Sequence, residues 1–347
     1  MHYELVADND EEQKLLESNK QLRVFMDVYL PVIQGRAIME GVHLGLFSTI
    51  EHNQLTLKEI SEKLSLNYDA LGLLLNTLVC AGYLEYENEK FFLTELSKNS
   101  LLKDSMFQAT GAIKLSRTRW TMLEELGNAI KTGESVNLHE KFLSTQESWD
   151  AYQRAMYEFA IFTADEIASC ITLKPDATKM LDIGGSHGLF GAKICRKFPP
   201  LKSIVFDLPK AVKGSIPLAQ EAGIDDVVSF QSGDALKDDL GENYDLVLVS
   251  NLCHHFNKEK NAYFFGKLFS ALKKGGTLAI VDIKPPDFVN NRNLTSAVSS
   301  LMFMLNSGGQ NHSSSDFNSW AESAGFEQVE INSTYVGKNQ FLITGIK

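Results

Sequence analysis

Two aspartates stand 25 residues apart, each closing a short apolar run: Asp182 after Met180-Leu181, and Asp207 after Ser203–Phe206. The first is followed by Ile183-Gly184-Gly185-Ser186-His187-Gly188 and then by a segment of helical periodicity, Leu189 to Phe198. Glycine supplies turn conformations and lets a ligand press against bare backbone. A helix beginning just after the loop would aim its N-terminal amides at that ligand. A glycine loop at one strand end with a carboxylate at the next is how a doubly wound fold grips a nucleoside. Asp207 is suited to accept two hydrogen bonds from a ribose diol, and Asp182 to orient the loop amides.

The glycine spacing narrows the nucleoside. A dinucleotide fingerprint places glycines as G-x-G-x-x-G. Started at Gly184 the template meets Ser186 and Leu189, and started at Gly185 it meets His187 and Phe190. The loop instead suits a ligand without a pyrophosphate. It resembles the D-x-G-x-x-x-G loop of S-adenosylmethionine-dependent methyltransferases.

Ligands of such folds lie beyond the carboxyl ends of the strands, so the remaining strand ends matter. They read Asp207-Leu208, Gly233-Asp234-Ala235, Ser250-Asn251 and Asp282 to Pro286. Asp234 could accept a hydrogen bond from an adenine amino group. Ser250-Asn251-Leu252-Cys253-His254-His255-Phe256 follows a strand and precedes a helix. A hydroxyl is a poor nucleophile until its proton leaves, and a neutral imidazole can take that proton near neutral pH. Position beside a nucleoside loop makes His254 the candidate base. No cluster of carboxylates and histidines has ligand spacing, so no metal is expected.

These residues require a scaffold of alternating strands and helices. Strands are predicted at 180–183, 203–206, 227–230, 244–250, 277–282, 326–331 and 340–346, with helices at 188–198, 209–222, 259–273 and 315–324. That alternation implies a parallel sheet covered on both faces. Only Asn332 to Asn339 separates the last two strands, which suggests one antiparallel strand closing the sheet. Upstream, Leu57, Ile60 and Leu64 mark a short amphipathic helix. Asp69 is read as the N-cap of Ala70 to Ala81, with Gly82 as its stop. Tyr83–Tyr86 and Lys90–Thr94 then form a hairpin. Helix, helix, helix, hairpin is a winged helix. Between the two regions lies a helical bridge whose Met156, Phe159 and Phe162 could line a pocket, as could Leu301, Met302 and Leu305 further on. The expected domains are therefore 1–104, a helical linker at 105–170, and 171–347.

Composition excludes several partners. The net charge of −11 disfavours nucleic acid and anionic membranes, which attract basic surfaces. The candidate recognition helix, 69–81, holds no lysine or arginine, and the wing carries Glu85, Glu87 and Glu89. Its helices are expected to pack against protein. No apolar run approaches the ~18 residues of a membrane span. The acidic start lacks the pattern of a signal peptide, and Cys80, Cys170, Cys195 and Cys253 show no paired spacing. A cytoplasmic location is expected.

With these residues assembled, the chain resembles the family-2 O-methyltransferases, from roughly Ile33 to the C-terminus. The resemblance rests on Asp182–Gly188, Phe206-Asp207-Leu208-Pro209, Gly233-Asp234, Cys253-His254-His255-Phe256, Lys274-Gly275-Gly276 with Ile280-Val281-Asp282, and Ala324-Gly325-Phe326. It implies a seven-stranded Rossmann-like methyltransferase domain preceded by an all-helical winged-helix dimerisation domain, hence a homodimer. It implies S-adenosylmethionine as cofactor, His254 as general base, Asp207 and Asp234 on ribose and adenine, and a small, largely apolar or aromatic acceptor. Two positions depart from the family pattern. His255 stands where an aspartate is common, and Asn311 where a glutamate often assists the base. Both are expected to face the acceptor, and His254 is expected to lack a carboxylate partner. The departures leave two alternatives: the same fold with N- or C-methylation or non-methyl chemistry, and a winged-helix regulator sensing a metabolite.

Overall fold

In the computed structural model the described residues are all but 1–5, 8, 19, 104, 106, 290–292 and 334–338, with residues 20–23 and 25 described by backbone alone. Contacts gather the chain into two compact units, residues 2–117 and 118–347.

In the first unit, α1 (Asp10–Ser18) and the long α2 (Lys20–His43) precede α3 (Leu46–Ile50), β1 (Leu55–Thr56), α4 (Leu57–Leu64) and α5 (Tyr68–Cys80). The hairpin β2 (Leu84–Glu87) and β3 (Lys90–Leu93) and the short α6 (Glu95–Ser100) follow. Helix α4 starts in a capping box, Thr56 accepting from the Glu59 amide while the Glu59 side chain returns to the Thr56 amide. Helix α5 is capped by Asn67, which accepts from the Ala70 amide at 3.0 Å, not by Asp69. Gly82 ends it with a φ of 78°. The unit is not all-helical. Leu55 and Thr56 pair with Phe91 and Lys90, so the hairpin gains a third strand. Leu46, Phe47, Ile50, Leu71, Leu75 and Leu78 form its core. Val24, Val28, Tyr29, Leu30, Val32 and Ile33 of α2 stay exposed.

Helix α7 (Thr110–Leu123) leads into the second unit, where α8 (Leu126–Thr132), a π-helical turn at Leu138–Phe142, α9 (Gln146–Ile161) and α10 (Ala164–Cys170) come before the sheet. The sheet region runs β4 (Lys179–Ile183), α11 (Leu189–Lys197), β5 (Lys202–Asp207), α12 (Pro209–Glu221), β6 (Val228–Ser232), β7 (Tyr244–Ser250), α13 (Lys258–Ala271) and β8 (Leu272–Ile283). It finishes with α14 (Leu294–Ser307), α15 (Ser314–Ala324), β9 (Glu327–Ser333) and β10 (Gln340–Ile346).

Strand β7 shows why the sheet lies in the middle of this unit. All seven of its residues are buried, Leu246 and Leu248 toward one face and Val247 and Val249 toward the other. A strand apolar on both faces needs helices on both faces. The strand order is β6-β5-β4-β7-β8-β10-β9. All seven expected strands form. β10 is antiparallel to both neighbours, but it inserts between β8 and β9 rather than closing the edge. Connections diverge on either side of β4, whose neighbours are β5 and β7. The crevice at that switch point is where a doubly wound sheet holds its ligand. Among the described residues no helix is long and apolar enough to cross a membrane.

Candidate active site

The glycine loop leaves β4 at this switch point and is folded by its glycines. Gly184 and Gly188 have φ of 64° and 76°, conformations that side chains with a Cβ resist. Gly185 leaves no room for a Cβ because the Asp182 carboxyl fills that space, and a Cβ on Gly188 would lie 2.9 Å from Val228. Ser186 shares the left-handed conformation, at φ 50°. Its hydroxyl donates to the buried Gln153 of α9, a contact that nothing in the loop sequence announces.

Asp207 receives the Ser186 amide on Oδ2 at 2.9 Å and the Leu208 amide on Oδ1 at 2.7 Å. Each oxygen keeps lone-pair capacity for one further donor, which is what a vicinal diol offers. Burial pushes this carboxyl up to about 6 against those two amides. Asp182 is pushed up to about 7 by burial and then by the nearby Asp207, with the Gly191 amide acting in the opposite sense. No donor among the described residues meets either Asp182 oxygen in good hydrogen-bond geometry. Two buried carboxyls around a glycine loop suit a cationic nucleoside and repel a pyrophosphate. His187 caps α11, its Nδ1 accepting from the Leu189 amide at 3.0 Å, and burial lowers its pKa to about 3.

Gly233 continues the rim, its amide bonded to the Asp207 carbonyl at 2.8 Å and its missing side chain making room for Phe206. Asp234 is occupied by its own turn. It accepts the Leu236 amide at 2.9 Å and pairs with Lys237 at 2.8 Å, which leaves one lone-pair direction per oxygen for a ligand. Ala235 packs its methyl on the core beneath. Ser250 ends β7 and Asn251 follows it, left-handed at φ 54° with its amide on the Val281 carbonyl. That bend turns the chain so that Leu252 packs over Gly184 and the next turn carries His254.

His254 is buried, and the expectation that it lacks a carboxylate is overturned. Asp282, at the end of β8, places Oδ1 2.6 Å from His254 Nδ1. The same oxygen accepts the Ile283 amide at 2.7 Å, and Oδ2 accepts the His254 amide at 3.1 Å. A carboxylate has no proton to give, so Nδ1 carries the proton and Nε2 presents its lone pair. The cause is register. β7 and β8 run parallel with Ser250 opposite Val281, so the residue after Val281 stands beside the turn after Ser250. Phe303 stacks on the His254 ring, centroids 3.6 Å apart and planes at 12°. Gly309 lies against the His254 carbonyl so closely that no Cβ fits.

The expected acceptor wall is brought together only in part. His255 lies beside His254, ring centroids 4.5 Å apart. Its Nδ1 is 2.9 Å from the Ser307 hydroxyl. Behind it come Tyr152 and His139, which stacks on Trp149; His139 carries no signal in the sequence. Met156 is half-buried, while Phe159, Phe162 and Leu301 keep much of their surface exposed. Met302 packs on a core cluster that contains Leu305. Leu305 is fully buried there, so it supports the wall from behind instead of lining it. Asn311 does not serve as a stand-in for an acid on His254. Its amide group donates to the Lys284 and Ser296 carbonyls and the Ser299 hydroxyl, tying α14 to the segment after β8.

Comparison with known proteins gives the chain's relatives. A family model described as an O-methyltransferase domain matches residues 121–327. The chain is 21% identical over 306 residues to 3-hydroxy-5-methyl-1-naphthoate 3-O-methyltransferase of Streptomyces sahachiroi, covering 85% of this chain and 86% of that protein. It is 23% identical over 320 residues to the acetylserotonin O-methyltransferase of Bos taurus, covering 86% and 91%. The crystal structure of human N-acetylserotonin methyltransferase in complex with S-adenosylmethionine superposes with a TM-score of 0.81 at 20% identity, covering 99% of each chain.

Proposed function

The chain belongs to the O-methyltransferase family, and from that premise we propose that His254 is the base that readies an acceptor hydroxyl for methylation. The enzyme is an S-adenosylmethionine-dependent O-methyltransferase. S-adenosylmethionine, when bound, supplies an electrophilic methyl on a sulfonium. The residues that would hold it are the Gly184–Gly188 loop, Asp207 toward the ribose, Gly233 and Asp234 toward the base, and Asp182 as a buried counter-charge. Nε2 of His254 would then be placed to accept the proton of an acceptor hydroxyl. Asp282 steadies the imidazolium that results, as a carboxylate behind a catalytic histidine does. The stacked Phe303 restricts the ring's movement. The acceptor is a small, largely apolar or aromatic hydroxyl compound, a class suited to walls of Met156, Phe303 and Tyr152.

The single observation that carries this reading is the base: an imidazole with a bare Nε2, held by a carboxylate, one strand from the glycine loop. Incubation with methyl-deuterated S-adenosylmethionine and a panel of small phenols should add one labelled methyl to oxygen. Label on nitrogen or carbon, or a mass change other than one methyl, would displace the reading.

Cofactor binding should depend on pH in a defined direction. A ribose diol donates to Asp207, and a sulfonium favours an ionised Asp182, so the ligand prefers both carboxylates charged. Affinity for S-adenosylhomocysteine, which lacks the sulfonium, tests Asp207 alone. It should be full well above pH 6 and fall as pH drops through about 6, by up to tenfold per unit. S-adenosylmethionine should begin to weaken nearer pH 7, where Asp182 protonates. Calorimetric affinities that are flat from pH 5 to 8 would contradict the assignment.

We assign 1–104 to dimerisation, 105–170 to the linker contributing to the acceptor pocket, and 171–347 to the cofactor domain. The exposed apolar residues Val24, Val28, Leu30, Val32 and Ile33 of α2 support a homodimer, since burying each such side chain contributes about 1.5–3 kcal/mol. The native chain should sediment as a dimer and the Val28→Glu/Ile33→Glu double variant as a monomer; a monomeric native chain would overturn this. The four free thiols suit the reducing cytoplasm.

A further inference from the structure

Hydrogen-bond accounting around the second histidine points to the kind of acceptor the site takes. Ser307 donates its only hydroxyl proton to the Phe303 carbonyl at 3.2 Å, which is its own helix's acceptor four residues back. With that proton on the carbonyl, the hydroxyl accepts from His255, whose Nδ1 lies 2.9 Å away. In this arrangement His255 is the Nδ1–H tautomer with a lone pair on Nε2. His254 has the same form, because Asp282 takes its Nδ1 proton. Neither Nε2 has a protein partner among the described residues, and neither belongs to the polar atoms sealed from solvent without one. Two imidazoles with centroids 4.5 Å apart thus each carry an unpartnered Nε2.

Resting on His254 as the base, we propose that His255 is a specificity-determining residue that accepts a second hydroxyl, so that the acceptor carries hydroxyls on neighbouring ring carbons. One hydroxyl gives its proton to His254 Nε2 as its oxygen takes the methyl. The other donates to His255 Nε2 and keeps its proton. A carbonyl or an ether at the second position would set lone pair against lone pair, and a bare carbon would leave a buried acceptor unpaired, which costs about as much as the lost bond. The surroundings agree. Phe303 lies over His254 and edge-on to His255 at 5.6 Å, so one ring walls both. His139 stands 5.5 Å from His255, and burial together with the neighbouring His254 and His139 drives His255 well toward its neutral form. A neutral acceptor is what a hydroxyl needs, and an added cation there would oppose a sulfonium. The pattern also predicts one methylation per molecule, because the monomethyl product has lost a donor.

The test is calorimetric titration of the protein–S-adenosylhomocysteine complex with 2,3-dihydroxynaphthalene, 2-naphthol and 3-methoxy-2-naphthol. The diol should bind about tenfold or more tightly than either of the others, the effect of one buried hydrogen bond. In His255→Phe the ratio should collapse toward one. In His255→Asn, which keeps an acceptor, part of it should return, and in Ser307→Ala, which frees the tautomer, it should shrink. Unchanged affinity for S-adenosylhomocysteine reports that each variant is folded. Equal binding of diol and 2-naphthol to the native complex, no binding of either, or a preference that survives in His255→Phe would overturn the proposal. A native protein that fails to bind S-adenosylhomocysteine at all would instead strike the cofactor reading on which it rests.

Discussion

Alanine in place of His254 is expected to lower kcat by roughly 10²–10⁴-fold, the range for loss of a positioned general base. At 1.36 kcal/mol per tenfold that is about 2.7–5.4 kcal/mol of barrier. The reason is local. The acceptor oxygen is a weak nucleophile while it holds its proton, and His254 Nε2 is the bare acceptor that Asp282 orients. The proposed cofactor contacts lie on other strand ends, at Asp207, which holds the Ser186 and Leu208 amides, and in the loop from Gly184 to Gly188. Affinity for S-adenosylhomocysteine should therefore change little. Removing the imidazole also takes away the ring that Phe303 stacks on, so kcat and not KM alone must be read. Turnover near the native rate in His254→Ala would remove the base role.

The second large effect concerns Asp282→Asn, a change of one atom. Asp282 accepts three donors: His254 Nδ1–H and the Ile283 amide on Oδ1, and the His254 amide on Oδ2. A carboxamide has a single acceptor oxygen. If its oxygen keeps the two donors on the Oδ1 side, its amino group meets the His254 amide, donor against donor. If it turns over, the amino group meets Nδ1, and the histidine's proton must move to Nε2, where it blocks the reaction. Either way the base is lost or displaced, and kcat should fall by roughly 10²–10⁴-fold, as for a catalytic histidine put into the wrong tautomer. An unpaired buried donor should also cost about 1–3 kcal/mol of stability, visible as a lower Tm. A variant with kcat within threefold of native would show that Asp282 does not orient the base.

These two residues also show what the sequence could and could not reveal. The central strands β4, β5, β7 and β8 were legible because each holds an apolar run closed by a polar residue, and the glycine loop because its glycines are required by its backbone. Asp207 was legible for the same reason, standing at the first strand end after the loop. Asp282 ends an identical run, Ile280-Val281-Asp282, yet its role depends on which strand lies beside β7. The family pattern points instead to the positions of His255 and Asn311, neither of them an acid, and so leaves the base without a carboxylate. The parallel register of β7 and β8 supplies one. Helix α14 was hidden by its serines and threonine, which weaken helical preference. Inside the helix their hydroxyls bond back to carbonyls, Ser299 to Ser296 and Ser307 to Phe303, and Asn293 caps its start. With the helix unread, the stacking of Phe303 on His254 could not be foreseen. His139 was equally invisible, since it reaches the site from a π-helical turn 115 residues before the histidine pair.

The central claim is that His254 meets the acceptor with Nε2 bare because Asp282 holds the proton on Nδ1. Long-range ¹H–¹⁵N NMR of histidine-labelled protein in complex with S-adenosylhomocysteine, at a pH where the ring is neutral and with His254→Gln to assign the signals, reads this directly. The predicted result is a protonated Nδ1 and a pyridine-type Nε2 for His254, with the pattern lost or reversed in Asp282→Asn. A neutral His254 with its proton on Nε2 in the native complex would contradict the mechanism.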